Sequence, residues 1–411
     1  MSALYSILVQ LTWLVLQLVG LFNPKINLFV NGRKETFSIL EKAQLANHET
    51  IWMHVASLGE YEQGLPVLQK LKEKYPHKKI LLTFFSPSGY EVKKEKTPAN
   101  TVVYLPMDSF SNVKRFLKLT KPELAIFIKY EVWPNYVSHV KAQDIPLLLV
   151  SGIFADRQIY FKWYGGFMKK ALQSFSHYFV QETTSKKMLE SIGLQNITVT
   201  GDTRLDRVSE ILEQDNHLDF MQSFKSSAPV LVAGSTWPED EEFIVDYINK
   251  TEYPLKTVFA PHNIKENHIN RLKKGIRKKV ICYTEIDTQN LEEYDVLIID
   301  TIGILTKIYS YAQMAYVGGG FATGLHNTLE PAVFGIPVII GPEYHQFNEA
   351  IALVQRGGLL ALKDASEFPS VLNSLLLNPD KAQELGKRNS EYITTNKGAT
   401  KTVIQHIDQL L

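Results

Sequence analysis

A chain of 411 residues that is 45% hydrophobic is longer than one hydrophobic core usually serves and as apolar as globular proteins are, so two packed domains are expected and disorder is excluded. Its 44 Lys and Arg are matched by 43 Asp and Glu, which removes the field of a general nucleic-acid binder, and no nucleic acid is expected as a partner. The one cysteine, Cys282, has no intrachain partner and lies in an apolar run, which fits a reducing compartment and argues against thiol chemistry or a cysteine-rich zinc site.

The stretch 4–22 is uncharged and mostly apolar, close to the ~20 residues a helix needs to cross a bilayer. It lacks the basic start and small-residue cleavage site of a signal peptide, so it is expected to stay attached. As a helix it gathers Ser6, Gln10, Trp13 and Gln17 on one face and leaves Leu, Ile and Val on the other, a pattern suited to lying partly in a membrane. Lys25, Arg33 and Lys34 follow, which by the positive-inside rule would put the body in the cytoplasm. A core helix of the first domain is the alternative reading.

From Thr50 onward, short β-branched runs alternate with longer amphipathic stretches, the mark of βαβ units and a parallel sheet. Buried strands are predicted over 51–56, 80–85, 102–105, 124–128, 147–150 and 178–181. A second series follows over 230–233, 257–260, 280–283, 296–299, 315–317 and 337–340. Between them 201–228 turns polar and charged. The expected divisions are 1–24 (membrane-associated helix), 25–215 and 216–395 (two doubly wound α/β domains) and 396–411, an amphipathic helix that needs a surface to cover. Two such sheets in tandem would place a ligand at the carboxyl ends of their strands, between the domains.

Three constellations fall at predicted strand ends. In His54-Val-Ala-Ser-Leu-Gly-Glu60, Glu60 can act as a general base, while Ser57 with Glu60 also reads as a capping box. A helix dipole would lower the pKa of Glu60, so a base role needs compensating desolvation. In Lys129-Tyr-Glu-Val-Trp-Pro-Asn135, Glu131 can steady the positive charge that develops at an anomeric carbon, or simply be an exposed turn acid. In Gly318-Gly-Gly and Gly324-Leu-His-Asn-Thr-Leu-Glu330, glycines including Gly319 and Gly320 would let backbone amides approach a phosphate at a helix start. Asn327 and Glu330 read as a capping pair, as ribose and base ligands, or as both. Ser235 and Thr236, Pro261 and His262, and Ile302, Gly303 and Ile304 each follow a strand and can build one nucleotide pocket. Arg204 can meet a leaving phosphate or lie on the surface. Without paired histidines, a cysteine cluster or an Asp-x-Asp motif, no catalytic metal is implied.

The motifs His54 to Glu60, Glu131-Val-Trp-Pro-Asn135, and Gly318-Gly-Gly with His326-Asn-Thr-Leu-Glu330 together resemble the Kdo (3-deoxy-D-manno-octulosonic acid) transferases, in order and spacing, over most of the chain. The resemblance implies a GT-B architecture of two Rossmann-like domains, an N-terminal one for the acceptor and a C-terminal one for the nucleotide sugar. It implies CMP-Kdo as co-substrate, with no further cofactor, a lipid A precursor of the lipid IVA type as acceptor in lipopolysaccharide synthesis, and inverting, metal-independent transfer. It implies attachment to the cytoplasmic face of the inner membrane. It makes Glu60 the general base and Glu131 and Arg204 transition-state stabilisers. The CMP contacts it implies are Pro261, His262, Ile302, Gly303, Ile304 and Asn327, Thr328, Leu329 and Glu330. The chain departs from the family's usual arginine at His262, lysine at Arg204 and acid at Lys129, so the donor phosphate would lean more on Arg204 and the helix start. Alternatives are a GT-B transferase using a UDP-sugar, a non-catalytic envelope-assembly protein that keeps the fold, and, more remotely, a soluble dehydrogenase, which the missing dinucleotide fingerprint disfavours.

Overall fold

The computed structural model describes residues 2–411 other than Thr288 and Thr323. The chain forms two units. The first runs to Asp206 and takes back Lys397–Leu411; the second is Arg207–Asn396, so the division falls inside the polar stretch 201–228.

The first unit is built on a seven-stranded parallel sheet. Its strands are β1 (Thr50–Val55), β2 (Lys79–Phe84), β3 (Thr101–Tyr104), β4 (Pro122–Ile128), β5 (Leu147–Gly152), β6 (His177–Val180) and β7 (Ile197–Val199). Their spatial order is β3-β2-β1-β4-β5-β6-β7. Successive side chains enter opposite faces, so Trp52, Leu81, Phe127 and Leu149 feed one core while Ile51, Met53, Leu82 and Ile126 feed the other. Burial on both faces is why these strands read as unbroken apolar runs. The helix Ala399–Ile407 covers the second of these cores with Val403, Ile404 and Ile407, the surface its amphipathic pattern called for.

The second unit repeats the plan with β8 (Val230–Thr236), β9 (Lys256–Pro261), β10 (Val280–Cys282), β11 (Val296–Ile298), β12 (Met314–Val317), β13 (Val338–Ile340) and β14 (Leu359–Ala361), all parallel. The order is β10-β11-β9-β8-β12-β13-β14. All twelve predicted strands are present; the two that were not predicted, β7 and β14, are three-residue edge strands.

The first helix, Ser2–Gly20, is long and apolar enough to cross a membrane by length and composition. Leu4, Ile7, Leu8, Leu11, Leu14, Val15 and Leu18 are exposed, so it is not a core helix. Ser6, Trp13 and Gln17 lie on the half-buried face, whereas Gln10, expected beside them, is exposed. That face is tied down: Asn135 Nδ2 donates to Ser6 Oγ at 3.0 Å, and the Tyr5 ring meets Phe167 at 5.4 Å. Asn23 caps the next helix, Pro24–Ala43, by accepting from the Lys25 and Ile26 amides. Arg33, expected to flank a membrane segment, is instead buried. Its guanidinium donates to the carbonyls of Leu105 (3.0 Å), Phe29 (3.1 Å) and Phe85 (2.6 Å), so its charge serves the packing of this helix against the sheet ends.

Ile407 is fully buried under the first sheet. Ile407→Ala should therefore lower unfolding free energy by about 2–5 kcal/mol, with Gln405→Ala on the exposed face staying within about 0.5 kcal/mol, as read by denaturant unfolding.

Candidate active site

The strand order of the first sheet reverses between β1 and β4; that of the second reverses between β8 and β12, and again at its far edge, where β11 lies between β10 and β9. Helices leave the two flanking strands towards opposite faces, and a crevice opens at their carboxyl ends. Glu60 follows β1 and Glu131 follows β4; Ser235 and Thr236 end β8, and Gly318, Gly319 and Gly320 follow β12.

Glu60 stands in the first turn of the helix Leu58–Lys74 and is only 6% exposed. Its carboxylate reaches back to accept from the Ala56 and Ser57 amides, but the Ser57 side chain makes no cap bond, so only half of the predicted capping box forms. Burial, then the nearby Glu131 charge, pushes the carboxyl up to about 8, against the lowering effect of the amides and of Lys129. Desolvation thus outweighs the helix start.

Glu131 sits on the loop between β4 and the helix Pro134–Lys141. It is not a free turn acid: its Oε2 accepts from the Trp133 indole at 3.1 Å and lies 3.7 Å from His54 Nε2. His54 is fully buried on β1, and Trp133 stacks on Phe85 with centroids 4.6 Å apart. Lys129, which opens this loop, holds φ 70°, an uncommon left-handed conformation for a side chain of this size.

Arg204 lies in the first turn of the helix Thr203–Glu210, and its guanidinium forks onto Asp202 at 2.9 and 2.6 Å. Thr203 donates to the Gln63 carbonyl at 2.5 Å, which ties this helix start to the helix that carries Glu60.

In the second unit the predicted donor residues gather on one edge. The His262 amide donates to the Thr236 carbonyl at 2.9 Å, placing Pro261 and His262 beside Ser235 and Thr236. The Trp237 ring stacks on His262 at 4.6 Å and donates to His326 Nε2 at 3.0 Å. Burial and the neighbouring His262 push His326 down to about 4, so it is neutral and able to accept. Asn327 donates to Glu330 at 3.0 Å and accepts from the Leu329 amide at 3.1 Å, so the two residues pair through their side chains and only Asn327 takes up a backbone amide. Glu330 accepts from Thr306 at 2.9 Å, which brings the loop of Ile302, Gly303 and Ile304 alongside. Thr328 and Leu329 are buried, while Ile302 is 86% exposed.

The glycine loop differs from the expected phosphate cradle in two ways. The Gly319 amide is already taken by Asp240 Oδ2 at 3.0 Å, and the helix that follows, Leu329–Ala332, is a single turn with little dipole to offer. The glycines answer first to packing: a Cβ on Gly318 would sit 2.3 Å from the Ser235 carbonyl, and Gly319 has φ +93°. Asp240 organises this edge, since it also accepts from the Trp237 amide (2.9 Å) and the Tyr316 hydroxyl (2.5 Å). Neither Asp240 nor Trp237 was singled out from the sequence; the capping pattern Trp237 to Asp240 after a strand was the available signal. Among the described residues no group of three or more His, Cys, Asp or Glu is placed to hold a metal ion.

The family model described as 3-deoxy-D-manno-octulosonic-acid transferase matches residues 31–207. A 3-deoxy-D-manno-octulosonic acid transferase from Aquifex aeolicus is 30% identical over 333 residues, covering 79% of this chain and 86% of its own. One from Haemophilus influenzae is 26% identical over 409 residues, covering 95% and 94%. Among solved structures, a UDP-GlcNAc 2-epimerase from Neisseria meningitidis superposes with TM-score 0.60 at 15% identity, covering 88% of this chain and all (100%) of its own. MurG from Acinetobacter baumannii gives 0.58 at 12%, covering 88% and 99%; these two likenesses are of fold alone. Two doubly wound units in tandem, matched by transferases along nearly the whole length, make the chain a glycosyltransferase of GT-B architecture that belongs to the 3-deoxy-D-manno-octulosonic acid transferase family.

Proposed function

We propose that the chain moves Kdo from CMP-Kdo to a lipid A precursor of the lipid IVA type, with inversion and without a metal or other cofactor, Glu60 acting as general base. The observation that carries this reading is the buried Glu60 carboxyl at the β1/β4 reversal, raised by desolvation into the range where a carboxylate takes a proton near neutral pH. The acceptor hydroxyl gives its proton to Glu60 as its oxygen bonds to the anomeric carbon of Kdo. The bond from that carbon to the phosphate oxygen breaks on the opposite face, and CMP leaves with the electron pair.

Glu131 supplies negative charge to the oxocarbenium-like state. Arg204, Ser235, Thr236, His262 and the segment Asn327 to Glu330 meet the leaving nucleotide. With the Gly319 amide engaged, side-chain donors carry more of that role. An apolar acceptor also gives the exposed face of the first helix a purpose, and we place the protein on the cytoplasmic face of the inner membrane through that helix.

With a tetraacylated precursor and CMP-Kdo, mass spectrometry should show a Kdo-sized gain on the lipid, and Glu60→Gln should cut the rate by about 10²–10⁴-fold. CMP affinity, read by calorimetry, should be unchanged in that variant. A wild-type protein that binds UDP in preference to CMP, or yields no product, sinks the reading.

Because the base works deprotonated and its pKa is raised, kcat/KM should climb with pH through about 8 and level above it. A profile already flat from pH 5 would rule Glu60 out as the titrating base.

Asp240 accepts from three donors on the nucleotide-bearing edge. Asp240→Asn, which turns an amide against one of them, should raise KM for CMP-Kdo about tenfold and leave KM for the lipid unchanged; equal effects on both would contradict the placement.

A further inference from the structure

His54 is buried on β1 and makes polar contacts with three groups. Its Nε2 lies 3.1 Å from Trp133 Nε1, its Nδ1 lies 2.9 Å from Thr83 Oγ1, and the Glu131 carboxylate is 3.7 Å from Nε2. An indole N–H only donates, so Nε2 presents a lone pair. The ring's one proton must then be on Nδ1, with Thr83 Oγ1 accepting it. Thr83 also accepts from the Trp52 indole at 2.9 Å, and its own proton goes to the Met53 carbonyl at 3.4 Å. Every polar atom in this chain of contacts is thereby satisfied with His54 neutral.

Glu131 Oε2 and His54 Nε2 are both acceptors, and they face each other. The Trp133 N–H lies 3.1 Å from each of them and is the donor they share. Remove it and a lone pair meets a carboxylate.

We propose that His54 is a positioning residue for sugar transfer: its Nε2 and the Glu131 carboxylate share the Trp133 indole N–H, and this contact fixes where the charge of Glu131 stands beside Glu60. The proposal rests on the roles given above to Glu60 and Glu131. Burial of the relay in the sheet supports it, since Thr83 and Trp52 are fully buried and leave the ring one orientation. The other titratable or charged groups that face the two carboxyls are Lys129 and Tyr130 on the same loop and Tyr160 beyond it, with Arg157 next to Tyr130. None of them donates to the oxygen of Glu131 that Trp133 holds among the hydrogen bonds of the described residues.

Trp133→Phe keeps the stack on Phe85 and deletes only the N–H. It should lower kcat about tenfold or more, leave KM for CMP-Kdo within about twofold, and move the rising limb of kcat/KM to lower pH, because the charge that raises Glu60 is no longer held beside it. His54→Asn, which keeps a donor for Thr83 but has no acceptor at the Nε2 position, should behave alike. His54→Gln, which restores an acceptor there, should recover most of kcat. The double variant His54→Asn with Trp133→Phe should be no slower than the slower single variant. Unchanged kcat and pH limb in Trp133→Phe, or losses that multiply in the double variant, would overturn the proposal.

A second readout needs no turnover. In nitrogen-15 spectra of histidine-labelled protein, the His54 signal, assigned by its loss in His54→Asn, should show an unprotonated Nε2 whose shift changes in Trp133→Phe; a protonated Nε2 also overturns the proposal. If that signature is present but wild-type protein makes no Kdo product, the contact stands and it is the transferase reading that fails.

Discussion

Where the order of a parallel sheet reverses, neighbouring strands send their helices to opposite sides, and that constraint organises this molecule. In both units several of the candidate residues follow the two strands flanking such a reversal. Glu60 and Glu131 come from β1 and β4; Ser235 and the glycine loop come from β8 and β12. Some of the left-handed backbone lies near strand ends of this kind. Lys129, Ser151 and Ser235 hold left-handed φ values of 70°, 56° and 53°, each at or just past the carboxyl end of a strand. Non-glycine residues keep such values only where surrounding contacts over-determine them.

Two buried carboxyls near these reversals share a cause and differ in consequence. Burial raises the pKa of both Glu60 and Asp240. Asp240 is surrounded by donors, the Trp237 and Gly319 amides and the Tyr316 hydroxyl, so its oxygens are spent on holding β8, β12 and a helix start in register. Glu60 has backbone amides on one side and the negative charge of Glu131 on the other. A proton is welcome on Glu60 and redundant on Asp240. The number and sign of the neighbours, rather than depth, separates a proton acceptor from a structural clamp.

What the sequence made legible follows from the same physics. Strands buried on both faces announce themselves as apolar runs, and so twelve were readable; β7 and β14, three residues each at a sheet edge, carry too little pattern to stand out. The strand-end position of Glu60, Glu131 and the glycine loop was readable too, because strand, turn and helix start are adjacent in the chain. The partners of those groups were not. His54 reaches Trp133 and Asp240 reaches Gly319 across 79 residues in each case, and only the strand order brings them together. The glycines carry two demands that spacing does not separate: a phosphate-binding loop would want them, and the close approach of Ser235 and Gly324 already requires residues without a Cβ.

The first helix gains meaning from where its polar face is spent. Ser6 bonds the side chain of Asn135, whose amide also donates to the Asp108 carboxylate, and Asp108 accepts from the next amide, that of Tyr136, as well. These contacts hold the start of the helix Pro134–Lys141, two residues beyond Trp133 in the case of Asn135. Burial pushes Asp108 up to about 7, so the anchor is itself a costly group, retained where it receives several donors. The segment with the exposed apolar face is therefore one hydrogen bond from the helix that follows the loop of Glu131. A helix merely tethered to the body would have left its polar side to water. Here Ser6 is committed to the protein while Gln10 and the apolar side stay exposed, so the helix is held along part of its flank and presents its apolar residues outward.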